Sequence, residues 1–185
     1  ELPTDAVWVG WSLGGLLAGA LLARLPAPRA LILLGMGARF CDSEGVSRAA
    51  LTAFRRAFAR EPEATLAHFQ RWQLSGEPGP REAHRRLQAL LSDGPTPDRA
   101  SLAAGLHWLE TLELSSALAG AGCPVIRLVG ANDPLQAPAA IARADHRLEH
   151  AGHCPMLSRP AALAEALTAL ADRCPAPPHR LERLP

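Results

Sequence analysis

The chain has 185 residues, of which 48% are hydrophobic, and this is enough for one domain with a sizeable core. Its 19 basic and 18 acidic residues give a formal net charge of +1, which argues against a nucleic-acid-binding protein. Gly, Pro or Arg interrupts every apolar run well before the roughly 18 residues of a membrane span, so we expect no transmembrane helix.

The four cysteines are widely separated and form no CxxC pair: Cys41, Cys123, Cys154 and Cys174. Zinc sites and thiol redox motifs need closely spaced pairs, so we expect no metal and no other cofactor. We expect a reducing, cytoplasmic location, and the even number of cysteines leaves disulfides open. No signal peptide is visible at Glu1-Leu2-Pro3.

The first elements of the chain predict a strand–helix–strand unit. Residues 6–10 are a short apolar run that ends at glycine, as a buried parallel strand does. Residues 16–23 have helical composition, and the helix is predicted to end near Leu25-Pro26. Residues 30–35 form a second buried strand, so the unit has about the length of one βαβ crossover.

A helical block and a second strand region follow. From 47 to 119, apolar residues recur at three- and four-residue steps, which is typical of amphipathic helices. Breaks at 61–62, 75–80 and 93–97 divide this block into about four helices. The remaining elements are a strand at 124–130, a short helix at 138–144, a short strand at 147–149 and a helix at 160–172.

Strands that alternate with helices predict an α/β fold with a parallel sheet. The helical insertion suggests a cap over the carboxyl edge of the strands, where such sheets bind ligands. We therefore divide the chain into core residues 1–46, a helical cap at 47–119, core residues 120–174 and a loose tail at 175–185.

The segment Gly10-Trp11-Ser12-Leu13-Gly14 satisfies G-x-S-x-G between a predicted strand and a predicted helix. A nucleophile on such a sharp turn has strained dihedral angles, and we expect the glycines two residues to either side to relieve steric clashes. The pattern predicts Ser12 as a nucleophile and the backbone N–H of Leu13 as an oxyanion donor.

A serine nucleophile needs a base, and the base needs an acid to orient it. His153 lies in a loop between the last predicted strand and the last helix, where it can reach back to Ser12; His150 is its nearest rival. Asp133 lies in the turn after the third strand, and Asp145 is the competing carboxylate. The order Ser12, Asp133, His153 is the Ser…Asp…His order of the α/β-hydrolases.

The segments Trp11-Ser12-Leu13-Gly14-Gly15, Gly130-x-x-Asp133 and Gly152-His153-x-Pro155 resemble the capped α/β-hydrolases. We call the turn at Gly10–Gly14 the nucleophile elbow. Three features are most similar to the pimeloyl-acyl-carrier-protein methyl ester esterases of biotin synthesis, the BioH type: the elbow sequence, the Gly105-Leu106…Glu113-Leu114 segment and the Phe69…Gln73…Gly76 stretch. The resemblance runs from residue 6 to about 172.

The resemblance implies a serine carboxylesterase that hydrolyses the methyl ester of pimeloyl-acyl-carrier protein through an acyl-enzyme. Its implied partner is that acyl-carrier protein, and we expect a monomer that binds neither nucleic acid nor membranes. Arg81 and Arg85 match arginines that hold the carrier in this family, whereas Ala64 and His68 depart from the pattern. A solvated helix face is the other interpretation of the arginines.

The acyl channel has three candidate lining residues, Trp11, Phe40 and Phe69, and core packing is an alternative for Phe69. Hydrolases of this family place about four strands and a second oxyanion donor before the elbow. We therefore expect the chain to be an N-terminally truncated fragment, or the product of a misplaced start codon, and to be inactive or prone to aggregation. Other functions left open are a lactonase, a carbon–carbon bond hydrolase, a short-chain esterase and a non-catalytic binding protein.

Overall fold

A computed structural model describes residues 5–92, 94 and 98–174. Four strands form one parallel sheet in the order β1 (Val7–Trp11), β2 (Ala30–Leu34), β3 (Val125–Gly130) and β4 (His146–Leu148). The register places Val9 opposite Ile32 and Leu34 opposite Leu128. The predicted α/β class with a parallel sheet is confirmed.

Helices connect the strands and cover both faces of the sheet. Their bounds are α1 (Leu13–Leu21), α2 (Arg48–Arg60), α3 (Pro62–Trp72), α4 (Pro80–Ser92), α5 (Arg99–Thr111), α6 (Ser115–Ala119), α7 (Pro138–Ala142), α8 (Pro155–Ser158) and α9 (Pro160–Arg173). The helices α2 to α6 form an insertion between β2 and β3. Ser47 begins α2 and Asp98 begins α5, since each side chain accepts a backbone N–H of the first turn.

The sequence-based boundaries differ from these in several places. Helix α1 ends at Leu21, because tighter turns follow it, in which the N–H of Leu22 bonds to the carbonyl of Gly19 and the N–H of Arg24 to that of Leu21. The described part of the insertion contains five helices where about four were expected. The additional one is α6, which starts where the Glu113 carboxylate accepts the N–H of Ser115.

The side chains of β2 alternate between two apolar layers. Ile32 and Leu34 pack with Leu163 and Leu170 of α9 on one face of the sheet. Leu33 faces α1, close to Gly15, on the other face. All five residues of β2 are buried, as expected of a strand with helices on both faces.

A second apolar cluster joins α1 to the insertion. It contains Leu16, Met36, Leu51, Leu114 and Leu135. The insertion is therefore packed on the core at the carboxyl edge of the sheet. The division into core and cap domains stays a prediction.

Some expectations fall outside the described part of the chain. The predicted tail at 175–185 and the predicted break at 93–97, except Gly94, are among these. The four cysteines are inside it, and each is a free thiol. Among the described helices, we find none with the length and apolar character needed to cross a bilayer.

Candidate active site

The carboxyl ends of the four parallel strands meet at one edge of the sheet. Ser12 directly follows β1, Gly35 follows β2, Asp133 lies three residues after β3, and His153 lies five residues after β4. Residues distant in sequence are thereby brought together at this edge. Open α/β sheets bind their ligands at the carboxyl ends of the strands.

Ser12 lies on a strained strand-to-helix turn. Its φ of 53° and ψ of −127° are unusual for a residue with a side chain, and its backbone N–H donates to the carbonyl of Leu34 at 2.9 Å. Although Ser12 precedes α1 as its N-cap, its hydroxyl makes no capping bond. The hydroxyl is therefore available for another partner.

The two glycines that flank the serine have different roles. A Cβ at Gly10 would lie 2.5 Å from the Cα of Gly15 and 2.7 Å from the carbonyl oxygen of Gly14, so only glycine fits there. A Cβ at Gly14 would meet nothing within 4 Å. The expectation that Gly14 relieves a clash is wrong, because a Cβ at this position of the helix would point into open space.

Asp133, His153 and Ser12 form one hydrogen-bonded chain. His153 Nε2 is 3.0 Å from Ser12 Oγ, and His153 Nδ1 is 2.8 Å from Asp133 Oδ2. The other carboxylate oxygen of Asp133 accepts the backbone N–H of Leu135 at 2.9 Å. The side chains of Asp133 and His153 are fully buried, so the carboxylate orients the ring with little competition from water.

The two competing residues lie elsewhere. Asp145 precedes β4, and its carboxylate accepts the backbone N–H of Arg127 at 2.7 Å. His150 is exposed, with a left-handed φ of 56°, in the turn after β4. Neither contacts Ser12, so the structure brings the predicted pair, and not its rivals, to the serine.

Further contacts surround the histidine. The indole N–H of Trp11 donates to the carbonyl of His153 at 2.8 Å, and the two ring centroids are 5.5 Å apart. Gly35 has a φ of 63°, and a Cβ there would lie 3.1 Å from His153 Nδ1 and 3.2 Å from Asp133 Oδ2. The ring therefore lies against the backbone that follows β2.

Sequence reasoning missed Glu77. This residue belongs to the turn between α3 and α4, yet its side chain is buried against the histidine loop. Its carboxylate accepts the N–H of Gly152 at 3.0 Å and the N–H of Cys154 at 2.7 Å, and it also binds the hydroxyl of Ser158. A glutamate within a Gly- and Pro-rich turn gives no sequence signal of such a distant contact.

An apolar cavity of about 360 Å³ opens beside the serine. Its walls come from the elbow and from helices of the insertion, and they include Trp11, Ser12, Leu13, Gly14, Phe54, Phe58, Leu66, Phe69, Gln73, Leu102, Gly105, Leu106 and Leu109. Phe69 packs edge to face on Phe54 at 6.0 Å. Of the predicted lining residues, Trp11 and Phe69 are present, but Phe40 is not.

Phe40 is buried in the cluster that joins α1 to the insertion. It lines a neighbouring cavity that shares Phe54, Phe69, Leu106 and Leu109 with the one at Ser12. The structure therefore does not place Phe40 beside the serine.

Leu13 is the first residue of α1, so its backbone N–H has no acceptor within the helix. It also lines the cavity beside Ser12. A negatively charged oxygen at the serine would lie near this N–H and at the positive end of the helix dipole.

The predicted carrier-binding arginines lie on α4. Arg81 and Arg85 are exposed and four residues apart, hence on one face of the helix. Arg85 pairs with Glu82, while Arg86 donates to the carbonyl of Leu157 at 2.8 Å and so ties α4 to α8. Arg81 and Arg85 are both exposed to solvent, although Arg85 is paired with Glu82 on its own helix, whereas Arg86 is held within the protein.

Cys154, next to the histidine, is buried and stays a neutral thiol. Desolvation, together with the nearby charges of Glu77 and Asp133, raises the pKa of this thiol to about 12. It is therefore no thiolate nucleophile at neutral pH. Within residues 5–92, 94 and 98–174, no cluster of three potential metal ligands is found.

Comparison with known proteins gives the following similarities. A model described as "Alpha/beta hydrolase family" matches residues 1–166. The pimeloyl-[acyl-carrier protein] methyl ester esterase of Klebsiella pneumoniae (strain 342) is 31% identical over 182 residues, which is 92% of this chain and 71% of that protein. The protein of the same name from Stenotrophomonas maltophilia (strain K279a) is 35% identical over 174 residues, 88% of this chain and 67% of its own length.

Solved structures agree with this at the level of the fold. The esterase from Exiguobacterium antarcticum superposes with a TM-score of 0.72 at 17% sequence identity, covering 91% of this chain and 67% of that one. At such low identity, the superposition supports the arrangement of strands and helices alone.

Proposed function

Because this chain belongs to the alpha/beta hydrolase family, we propose that it is a serine carboxylesterase that cleaves the methyl ester of pimeloyl-acyl-carrier protein. The observation that carries the proposal is the continuous hydrogen-bonded chain from Asp133 through His153 to Ser12. The names of the similar curated proteins supply the substrate.

The proposed reaction has two stages. Ser12 Oγ attacks the ester carbonyl carbon while His153 Nε2, 3.0 Å away, accepts the hydroxyl proton. Asp133 holds the ring through Nδ1 and stabilises its positive charge. The tetrahedral oxyanion collapses, the C–O bond to the alkoxy group breaks, and His153 returns the proton, so that methanol leaves.

The acyl-enzyme is then hydrolysed by the same groups. His153 accepts a proton from water, the hydroxide attacks the acyl carbon, and the proton passes to Ser12 as the ester bond breaks. The backbone N–H of Leu13, at the start of α1, stabilises the oxyanion in both stages.

The apolar cavity favours a substrate whose acyl chain carries no charge close to the reacting ester. Its walls are apolar apart from Ser12, Gln73 and backbone groups, and a volume of about 360 Å³ is at the small end of ligand sites. Trp11, Leu13 and Phe69 would contact the methylene groups of the chain. Leu13 thereby has two roles, with its side chain on the substrate and its N–H on the oxyanion.

Arg81 and Arg85 are proposed to bind the acidic surface of the carrier protein. They are exposed on α4, and charges at the rim of an interface act mainly on the rate of association. Substituting both with alanine should raise KM for the carrier-bound methyl ester and reduce its dependence on salt. Hydrolysis of a small free methyl ester should be unchanged.

The test compares three substrates: the carrier-bound methyl ester, a free methyl ester and short p-nitrophenyl esters. The chain is expressed with and without an upstream extension, because the expected inactivity of the 185-residue chain stays a prediction. Full activity without the extension would refute that expectation and leave the proposed reaction standing. We expect methanol release from the first with the highest kcat/KM, and loss of about 10⁶-fold in kcat in Ser12→Ala, as for triad removal in a serine protease. Arg60→Ala, an exposed arginine on α2, is the matched control for the arginine variants. Preference for the small esters would indicate a short-chain esterase, and equal turnover by Ser12→Ala would refute the proposal.

A further inference from the structure

Glu77 is a buried carboxylate far in sequence from the residues it contacts. It comes from the insertion, whereas its partners belong to the loop and helix that follow β4, 75 to 81 residues later. A buried carboxylate is costly unless hydrogen bonds satisfy it, and here donors meet both oxygens. The hydrogen-bond donors of the loop and helix after β4 therefore satisfy this one buried carboxylate.

The two backbone donors flank the histidine. Gly152 N–H and Cys154 N–H point to different oxygens of the carboxylate, at 3.0 Å and 2.7 Å. One bond on each side of His153 fixes the position and the tilt of its backbone. The imidazole can then point away from Glu77, towards Asp133 and Ser12.

Two glycines allow the turn that carries Glu77 to approach its neighbours closely. A Cβ on Gly152 would lie 2.7 Å from Glu77 Oε1, and one on Gly76 would lie 1.8 Å from the carbonyl oxygen of Asn132. The N–H of Asn132 in turn donates to the carbonyl of Ala151 at 2.9 Å. The turn that carries Glu77 therefore contacts both the loop of the acid and the loop of the base.

Apolar packing holds this turn in place. Leu74 is fully buried and packs with Ala83 of α4 and with Cys154 and Leu157 near the histidine. Glu77 itself is not among the residues that line the cavity at Ser12. Its effect on the reaction would therefore pass through His153 and not through contact with the substrate.

We propose that Glu77 is a positioning residue, which holds the histidine loop in register with Ser12 and Asp133 through the N–H groups of Gly152 and Cys154. This inference rests on the proposed function, in which His153 is the base. It assigns the insertion a part in building the catalytic geometry, in addition to enclosing the substrate.

The test uses Glu77→Gln, Glu77→Asp and Ser158→Ala, each measured for kcat and KM on a short p-nitrophenyl ester and for thermal stability. Glutamine keeps one acceptor oxygen but turns an NH₂ donor towards a backbone N–H, so one loop bond is lost. A misplacement of about 1 Å can cost about 100-fold in rate, so we expect kcat to fall about 10- to 100-fold. KM should change less than twofold.

Ser158→Ala is the matched control, since it removes the third partner of the same carboxylate and leaves both loop bonds intact. We expect its kcat to stay within twofold of the unmodified protein, even where its Tm falls. Aspartate keeps the charge and both oxygens on a shorter side chain, so its kcat should lie between those of Glu77→Gln and the unmodified protein. Should the glutamine variant fail to fold, a lower kcat in Glu77→Asp than in Ser158→Ala is the expected result.

Two outcomes would overturn the inference alone. One is a kcat for Glu77→Gln, or for Glu77→Asp where glutamine prevents folding, within twofold of the unmodified protein. The other is a kcat that falls in Ser158→Ala as far as in the Glu77 variants. A failure of the proposed function looks different, because a fluorophosphonate would then not react at Ser12 in the unmodified protein, and the inference would fail with it.

Discussion

Substituting the two glycines of the elbow one at a time tests the account of the strained turn. Both flank Ser12 at a distance of two residues, and both would receive the same methyl group. In Gly10→Ala the methyl carbon would lie 2.5 Å from one backbone atom and 2.7 and 2.8 Å from two more, where ordinary contact begins at 3.4 Å. In Gly14→Ala it would meet nothing within 4 Å.

These distances predict opposite effects on stability. Overpacking of this kind costs about 1–3 kcal/mol, and backbone atoms cannot move away as a side chain would. Gly14 lies in the first turn of α1, where alanine is favoured over glycine by about 0.5–1 kcal/mol. The two variants should therefore differ by about 1.5–4 kcal/mol in unfolding free energy, with Gly10→Ala the less stable.

Thermal unfolding followed by circular dichroism measures this difference. For a chain of this size, about 2–4 °C of Tm corresponds to 1 kcal/mol, so the two Tm values should differ by about 3–16 °C. Gly14 also lines the cavity, so Gly14→Ala should raise KM for longer acyl esters while its Tm stays unchanged or rises. Equal Tm losses in both variants, or a larger loss in Gly14→Ala, would show that backbone crowding at Gly10 does not limit the turn.

Three further expectations concern the buried groups near Ser12. Asp133→Asn should keep the fold but lower kcat by about 10⁴-fold, the loss seen in a serine protease, because an amide cannot hold His153 in the reactive tautomer. A steady-state kcat within tenfold of that of the unmodified protein would contradict this. Gly35→Ala places a methyl group on a residue with a φ of 63° and directs it towards His153, so both Tm and kcat should fall. A loss of Tm with unchanged kcat would show that the position of the imidazole ring does not depend on this contact. Burial raises the pKa of the Cys154 thiol from 9.0 to about 12, so above pH 9 the unfolded chain loses this proton first and the folded state loses stability, by about 1 kcal/mol at pH 10. Cys154→Ala should lack this loss when the unfolding free energy is measured in urea at pH 7 and pH 10. An equal loss in both proteins would show that burial does not raise the pKa of this thiol.

Local patterns in the sequence were sufficient for most of the fold. The apolar run of β2 and the prolines that open α3 and α9 are short-range signals, and the elements lie close to the expected positions. The boundaries at Leu21 and Ser115 were missed, because turn hydrogen bonds decide them and composition does not.

The proximity of Ser12, Asp133 and His153 could be predicted because parallel strands end at the same edge, so residues after different strands converge. Contacts made by the insertion could not be predicted in this way. Glu77 reaches the histidine loop across 75 residues or more, and Phe40 lies in a neighbouring cavity although it follows β2 by a few residues. Such placements depend on how α2 to α6 pack on the core, which no local pattern encodes.

The open side of Gly14 shows a second limit. The G-x-S-x-G pattern treats its two glycines alike, whereas the backbone encloses Gly10 and leaves Gly14 facing the cavity. The spacing of a motif identifies a turn. Which of its glycines the turn requires depends on where a Cβ at each position would point.

Capture of an acyl-enzyme would show directly whether Ser12 is the nucleophile and His153 its base. Reaction with p-nitrophenyl acetate, quenched in acid and analysed by peptide mass spectrometry, should place one acetyl group on Ser12. The acetyl group should be absent in Ser12→Ala and strongly reduced in His153→Ala. An acetyl group on another residue, or equal acetylation of Ser12 without His153, would contradict the account.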